Sequence, residues 1–145
     1  GTNAIQANDL MFRKTLKDNG ETAQKILTII KDEFQSNGEI LKSIYKCEEV
    51  LDFIGQNKDD KEALSCISYD YMMGFGYLIG AWLMNKSKTK ASEKLHSGDT
   101  DKEFLKAKIL SSDFYNLHIL PRVRMHFKVV KDGSNIVMKT LDSYI

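Results

Sequence analysis

Chemistry in a short chain is sought first in its histidines, cysteines, glycine-rich turns and clustered charges. The histidines are His96, His118 and His126, and none is set beside a carboxylate or cysteine at metal-ligand spacing. His118 and His126 lie about two helical turns apart, too far to share one ion by helix geometry alone. No metal site is expected. Cys47 and Cys66 have neither CxxC spacing nor a histidine close by. They read as two buried, reduced thiols, which suits a reducing compartment. No GxSxG, phosphate-binding loop or GxGxxG occurs. Gly74-Phe75-Gly76 looks like the opening of a dinucleotide fingerprint, but no strand precedes it and no third glycine follows at the right offset. Tyr69, Tyr71, Phe75, Tyr77 and Trp82 could line a pocket for a flat ligand. At helical spacing they read instead as core. Lys86, Lys88, Lys90 and Lys94 form a basic run whose default reading is a solvated loop, with an acidic cofactor tail as the alternative. These residues do not assemble a self-contained active site.

The elements that carry them are helical throughout. Residues 5–17 form a first helix, closed by Asn19-Gly20 in a left-handed cap. Residues 21–35 form a second, with Ala23, Ile26, Ile30 and Phe34 on one stripe widened by Leu27. Asn37-Gly38 separates it from a third over residues 39–54, where Ile40, Ile44, Cys47, Leu51 and Ile54 recur every three or four positions and Gly55 reads as a stop. Asp59 and Asp60 put negative charge at the start of a fourth helix, where the helix dipole favours it. That helix runs from Lys61 to Lys88 or beyond. Leu64, Ile67, Tyr71, Phe75, Leu78 and Trp82 mark one face, and Met72, Met73, Ile79 and Leu83 carry apolar character round the others. It should therefore be the central, most buried helix.

Residues 85–101 are rich in lysine, serine and threonine, and the helix is expected to fray there into a loop. Thr100 with Glu103 reads as a capping box for a fifth helix, whose apolar face would be Leu105, Ile109, Phe114, Leu117 and Leu120. Pro121 should kink it without ending it, because periodicity resumes at Val123, Phe127 and Val130. A short last helix is expected over residues 135–144. Gly76 and Gly80, four apart on one face, suggest a close helix approach. Gly76 is expected to lie against helix five near Phe114 and Leu117. The fold is all-α: an antiparallel, up-and-down bundle of about four long helices plus short terminal helices. Helix content should be on the order of two thirds of residues.

Composition agrees with a soluble globular domain. Of 145 residues, 42% are hydrophobic and 28% charged, and a single proline leaves room for long helices. The formal net charge of +1 argues against nucleic acid as a partner, which needs a clustered positive surface. The uncharged stretch over residues 71–84 is shorter than the roughly 20 residues of a membrane span, so no span is expected.

Two stretches resemble a known family. GTNAIQANDLMFRK, residues 1–14, is similar to the segment that follows the catalytic glutamate of acyl-CoA dehydrogenases, commonly YEGTxxIQxxDLxxRK; Gly1, Thr2, Ile5, Gln6, Asp9, Leu10, Arg13 and Lys14 match. Residues 101–122 are similar to an extra C-terminal helical domain of certain bacterial members, including those acting on methylthiopropanoyl-CoA. Lys106-Ala107-Lys108, Phe114-Tyr115 and Ile119-Leu120-Pro121-Arg122 carry that likeness, and residues 77–82 fit the domain's central helix.

The resemblance implies a C-terminal fragment of an FAD-dependent oxidoreductase of fatty acid metabolism, in a bacterial cytoplasm. In that family a glutamate takes an α-proton from an acyl-CoA thioester while the β-hydride passes to FAD, giving a 2-enoyl-CoA. By the alignment the glutamate stands immediately before Gly1, outside the chain, so no catalytic residue is expected within it. Thr2 matches a position that contacts FAD and Asn3 lies beside it, whereas Ala4 replaces a glutamine that better-known members use on the cofactor. Residues 1–18 would then be a remnant of the catalytic domain and residues 19–145 the helical bundle. The expected partners are the rest of the parent enzyme, acyl-CoA through that parent, and further copies of the chain. Cut from its parent, the first helix is expected to leave Leu10, Met11 and Leu16 exposed, which would favour self-association. The fragment alone should be inactive and hold no FAD. The competing expectation is a stand-alone helical interaction module.

Overall fold

The computed structural model describes residues 1–35, 37–98, 100–133, 136, 137 and 139, and no strand occurs among them. Helix α1 (Thr2–Asn8) runs on as a π-helical turn over Asp9–Thr15 and a 3-10 turn over Leu16–Asp18. Helices α2 (Glu21–Glu33), α3 (Gly38–Gln56) and α4 (Lys61–His96) follow. Helix α5 (Lys102–Phe114) leads through a second π-helical turn, Tyr115–Ile119, into α6 (Arg122–Asp132). The antiparallel helical bundle expected from periodicity is the fold observed. The last helix expected over residues 135–144 lies largely outside the described residues.

The turns are built by the residue types that such turns require. Asn19 (φ 53°) and Gly20 (φ 80°) both take left-handed conformations, which end the first segment and start α2. Asn37 caps α3 by accepting from the Ile40 amide at 3.3 Å, and Asp60 caps α4 by accepting from the Ala63 amide at 3.0 Å. Two cap expectations need correction. Gly55 does not stop α3, which continues to Gln56; the side chain of Asn57 closes it by donating to the Phe53 carbonyl at 2.8 Å. At α5 the cap is Asp101, which accepts from Phe104, and not Thr100.

Helix α4, about 54 Å long at 1.5 Å per residue, is the axis of the bundle. It packs against α1 and its π turn, α3, α5 and α6. Leu64, Ile67, Tyr71, Leu78 and Ala81 are fully or almost fully buried along it. Met11, Leu27, Ile30, Ile40, Ile44, Val50, Val123, Phe127 and Val130 meet them from the surrounding elements. The helix does not fray over residues 85–96 as expected. The lysine-rich stretch there is helical because its partners lie alongside: Ala91 is buried, Lys88 pairs with Asp113 of α5, and Lys90 reaches Glu93 at 2.8 Å. Lys86 reaches Glu33 of α2 at 3.0 Å, beside the Trp82 indole that donates to the same carboxylate at 2.6 Å.

The first segment also departs from expectation. Met11 is fully buried, and Leu10 and Leu16 are half-buried against the same core, so they leave no exposed apolar face. The proposed remnant is packed into the bundle, and Ile5 is its outward apolar residue. The reason for self-association drawn from this segment is therefore removed. Of the two cysteines, Cys47 is buried as expected but Cys66 is exposed.

The proline break is a kink. Leu120 and Pro121 keep right-handed helical dihedrals, and the Leu120 amide donates to the Tyr115 carbonyl at 2.9 Å, one residue further back than in an α-helix. A proline ring clashes with the carbonyl four residues before it. The π turn widens the helix there and lets α6 continue along α4. The apolar face assigned to helix five is corrected at two positions. Leu105 and Leu120 face the core, but Phe114 and Leu117 are 59% and 71% exposed. The step from Ile109 to Phe114 is five residues, which carries Phe114 about 140° round the helix.

Glycines mark the closest approaches, at Gly80 as expected but at Gly74 in place of Gly76. A β-carbon at Gly76 would meet nothing within 4 Å, and Gly76 is exposed. At Gly74 it would run into the Phe127 ring of α6, with Cδ1 at 2.7 Å; at Gly80 it would strike the Tyr115 phenol, with Cζ at 2.7 Å. The close crossing lies two residues earlier than Gly76 and involves α6. Gly76→Ala should raise the melting midpoint, since it removes a glycine cost of about 1 kcal/mol at an open helix position. Gly74→Ala should lower it, because overpacking of about 1–3 kcal/mol outweighs that gain. Equal shifts for the two variants in thermal melts would contradict this placement of the helices. In the folded protein a thiol reagent should label Cys66 rapidly and Cys47 only after unfolding, because burial pushes the Cys47 thiol well above its ordinary range. Rapid labelling of both would contradict the buried site.

Candidate functional site

Besides the contacts of Trp82, Lys86 and Lys88, five polar contacts along α4 join it to other elements. Ser68 donates to the Asn8 side chain at 2.9 Å, and Tyr71 meets Thr15 hydroxyl to hydroxyl at 2.9 Å. These two fasten the N-terminal segment. Asp70 meets Nδ1 of His126 on α6 at 2.7 Å. The Tyr115 hydroxyl donates to the Tyr77 carbonyl at 3.2 Å. Asn85 and Asn116 exchange amide hydrogen bonds in both directions, at 2.9 and 3.1 Å. The last three fix the second π turn and α6 in antiparallel register on α4.

The His126–Asp70 pair was not visible as a spacing, because the two residues are 56 apart in sequence. A carboxylate can only accept, so Nδ1 of His126 carries the hydrogen. The ring is 8% exposed and lies 5.6 Å from the Tyr77 ring, centre to centre. Histidine and aspartate in this arrangement could orient a general base. His126 lines none of the clefts at Phe12 and Lys61, at Phe34 and His96, at Lys46 and Asp132, or at Met84 and Leu117. The pair instead joins two helices. Nδ1 of His96 donates to the Ser92 carbonyl of its own helix, and His118 stacks on Phe114. Among the described residues no group of three or more histidine, cysteine, aspartate or glutamate side chains could hold a metal ion.

Of the aromatic residues read as core, Tyr71 is buried and Phe75, Tyr77 and Trp82 are half-buried, but Tyr69 is exposed. Tyr71 is core, held by Thr15, and Trp82 and Lys86 share Glu33 across two helices. The basic run is helical, and Lys86, Lys88 and Lys90 are each paired with a carboxylate. An acidic cofactor tail finds no preformed place there. Thr2 and Asn3 lie in the exposed first turn of α1, after Gly1, whose carbonyl accepts from Ala4 at 3.1 Å. A hydroxyl and an amide presented there can form one wall of a binding site. The other walls must come from elsewhere.

Comparison with known proteins identifies the frame into which this arrangement fits. Residues 13–140 match the family described as acetyl-CoA dehydrogenase C-terminal like. The chain belongs to that family. It is also 27% identical to a 3-methylmercaptopropionyl-CoA dehydrogenase of Ruegeria pomeroyi, in an alignment covering 97% of this chain and 26% of that protein. The chain thus spans about a quarter of the length of this relative. The family match begins inside the first π turn at Arg13. Asn8 and Met11, just before that boundary, are nonetheless joined to the bundle by a hydrogen bond and by burial. No helix among the described residues is long and apolar enough to cross a membrane.

The fastening of residues 1–18 can be measured through Tyr71. Tyr71→Phe leaves the Thr15 hydroxyl buried without its partner and should cost about 1–3 kcal/mol in denaturant unfolding. Burial also raises the Tyr71 phenol above its ordinary value of about 10. The folded state then favours the protonated form. Its contribution is complete below about pH 10 and declines as pH rises further, towards the folded-state value. Unfolding series across alkaline pH should show a shallower decline for Tyr71→Phe than for the parent chain. Identical slopes would show that Tyr71 is not the titrating group.

Proposed function

We propose that this chain is the C-terminal helical domain of an FAD-dependent acyl-CoA dehydrogenase, and that its own role is structural. The observation that carries this reading is the family match over residues 13–140, preceded by the GTNAIQAND segment on α1 and the first π turn. In the parent, a glutamate immediately before Gly1 would act as the base at the acyl-CoA α-carbon, and FAD, when bound, would supply the hydride acceptor. The chain's residues would contribute position. Thr2 and Asn3, exposed at the start of α1, would touch the flavin cofactor, while Ala4 offers no polar group where other members place a glutamine.

Residues 1–18 are then the end of the catalytic domain and residues 19–145 the added bundle, with the contacts Asn8–Ser68 and Thr15–Tyr71 tying one to the other. A catalytic segment anchored at two buried or part-buried points cannot shift without disturbing α4, so the bundle would hold the segment after the glutamate in position. The partners under this reading are the rest of the parent, its acyl-CoA substrate and further copies of the polypeptide, in a bacterial cytoplasm. The name of the Ruegeria pomeroyi relative suggests a short thioether acyl chain for the substrate.

Two preparations test the reading together. The isolated chain should purify colourless and reduce no dye acceptor when given acyl-CoA. The parent polypeptide carrying this segment should be yellow, with stoichiometric FAD, and should reduce the dye. Replacing its glutamate before Gly1 by glutamine should abolish turnover and leave the FAD bound. A yellow isolated chain, or a parent that neither binds FAD nor oxidises any acyl-CoA, would overturn it.

A further inference from the structure

The outward face of α5 is apolar along a line that no described residue covers. Ala107, Leu110, Phe114 and Leu117 are exposed, on the side of the helix opposite the buried Leu105 and Ser112. Their spacing of three, four and three residues is the spacing of a helix–helix seam. Leu110 is 67% exposed and, with Phe114 and Leu117, presents a few hundred Å² of apolar surface, more than scattered surface residues supply. The cleft beside them, between α5 and Met84 of α4, is lined by Ile119 and Tyr115 as well.

The flanks of the line are basic. Lys106 and Arg122 border it, and neither meets a carboxylate among the described residues. The acidic neighbours are Asp113, whose charge is met by Lys88, and Glu103 at the end of the line. A second copy pairing antiparallel about Phe114 would bring Lys106 towards Arg122 of its partner, like charge against like.

The geometry points to this face as the docking site of an amphipathic helix from another protein segment, with an apolar stripe of matching spacing and acidic flanks. The inference stands apart from the dehydrogenase reading, since it uses only the exposure, spacing and charge of α5. A helix laid along Leu110, Phe114 and Leu117 buries the line, and its carboxylates meet Lys106 and Arg122.

Two short synthetic helices test it against the intact chain. Both carry leucine at the seam positions; one has glutamate and the other lysine on its flanks. The glutamate helix should bind with a dissociation constant on the order of micromolar, and the lysine helix at least about tenfold more weakly. Amide shifts in the labelled chain should change along α5 and its π turn. Phe114→Ser and Leu117→Ser, at exposed positions, should leave the melting curve in place and remove binding. Equal binding of the two helices, binding that survives Phe114→Ser, or shift changes confined to other helices would overturn the inference. So would sedimentation showing a dimer lost in Phe114→Ser, which assigns the face to a second copy. Flotation with phosphatidylserine vesicles lost in the same variant would assign it to a lipid surface and likewise overturn it.

Discussion

A helix that is apolar on more than one side has to be covered on more than one side, and that constraint organises this molecule. Helix α4 carries Leu64, Ile67, Tyr71, Leu78 and Ala81 towards the core, with half-buried Met72, Met73 and Ile79 on adjoining faces. No single neighbour can bury such a surface, so helices approach it from several directions. The N-terminal segment takes the part near Ser68 and Tyr71, and α6 takes Asp70 to Tyr77. The π turn and α5 take Gly80 to Lys88. Helices α2 and α3 fill the remaining side through Leu27, Ile30, Ile44 and Val50. Burial of this kind is worth roughly 1.5–3 kcal/mol for each large side chain removed from water. The surface ion pairs around it add little by comparison.

Much of this was legible in the sequence. Period and turn chemistry located the helices, the left-handed pair Asn19-Gly20, the start of α4 after Asp60 and the kink at Pro121. What was not legible depended on partners far away in the chain. Lysine-rich residues 85–96 read as loop because their own composition offers no core. They are helical because Asp113, Glu33 and Asn116 stand opposite them. Thr100 and Asp101 are both good caps, and local sequence does not choose between them. Gly76 and Gly74 lie on the same helix, and only the position of Phe127 tells which of them is crowded. The outward turn of Phe114 was readable in principle from the five-residue step after Ile109, which no α-helical stripe accommodates.

The site shows the same division. The resemblance of residues 1–14 to a catalytic segment rests on adjacent residues and was visible at once. Its attachment to the bundle rests on Asn8 with Ser68 and Thr15 with Tyr71, pairs separated by 60 and 56 positions. The same is true of His126 and Asp70. Short polar side chains such as these carry no periodic signal, because one hydrogen bond across an interface needs one residue on each side and no repeat.

The Asn85–Asn116 exchange has a consequence for how many folds this hairpin could adopt. Leucine-like contacts between two long antiparallel helices are tolerant, and sliding one helix by a turn replaces most of them with others of similar strength. A pair of amides that satisfies donor and acceptor on both sides does not tolerate sliding, since each would be stranded against aliphatic neighbours. Two nonpolar residues in their place would remove that penalty from every misaligned pairing. The hairpin would hold together, but several alignments would compete, and Tyr115 would no longer be assured of meeting Gly80. The asparagines therefore serve chiefly as discrimination between alternative alignments.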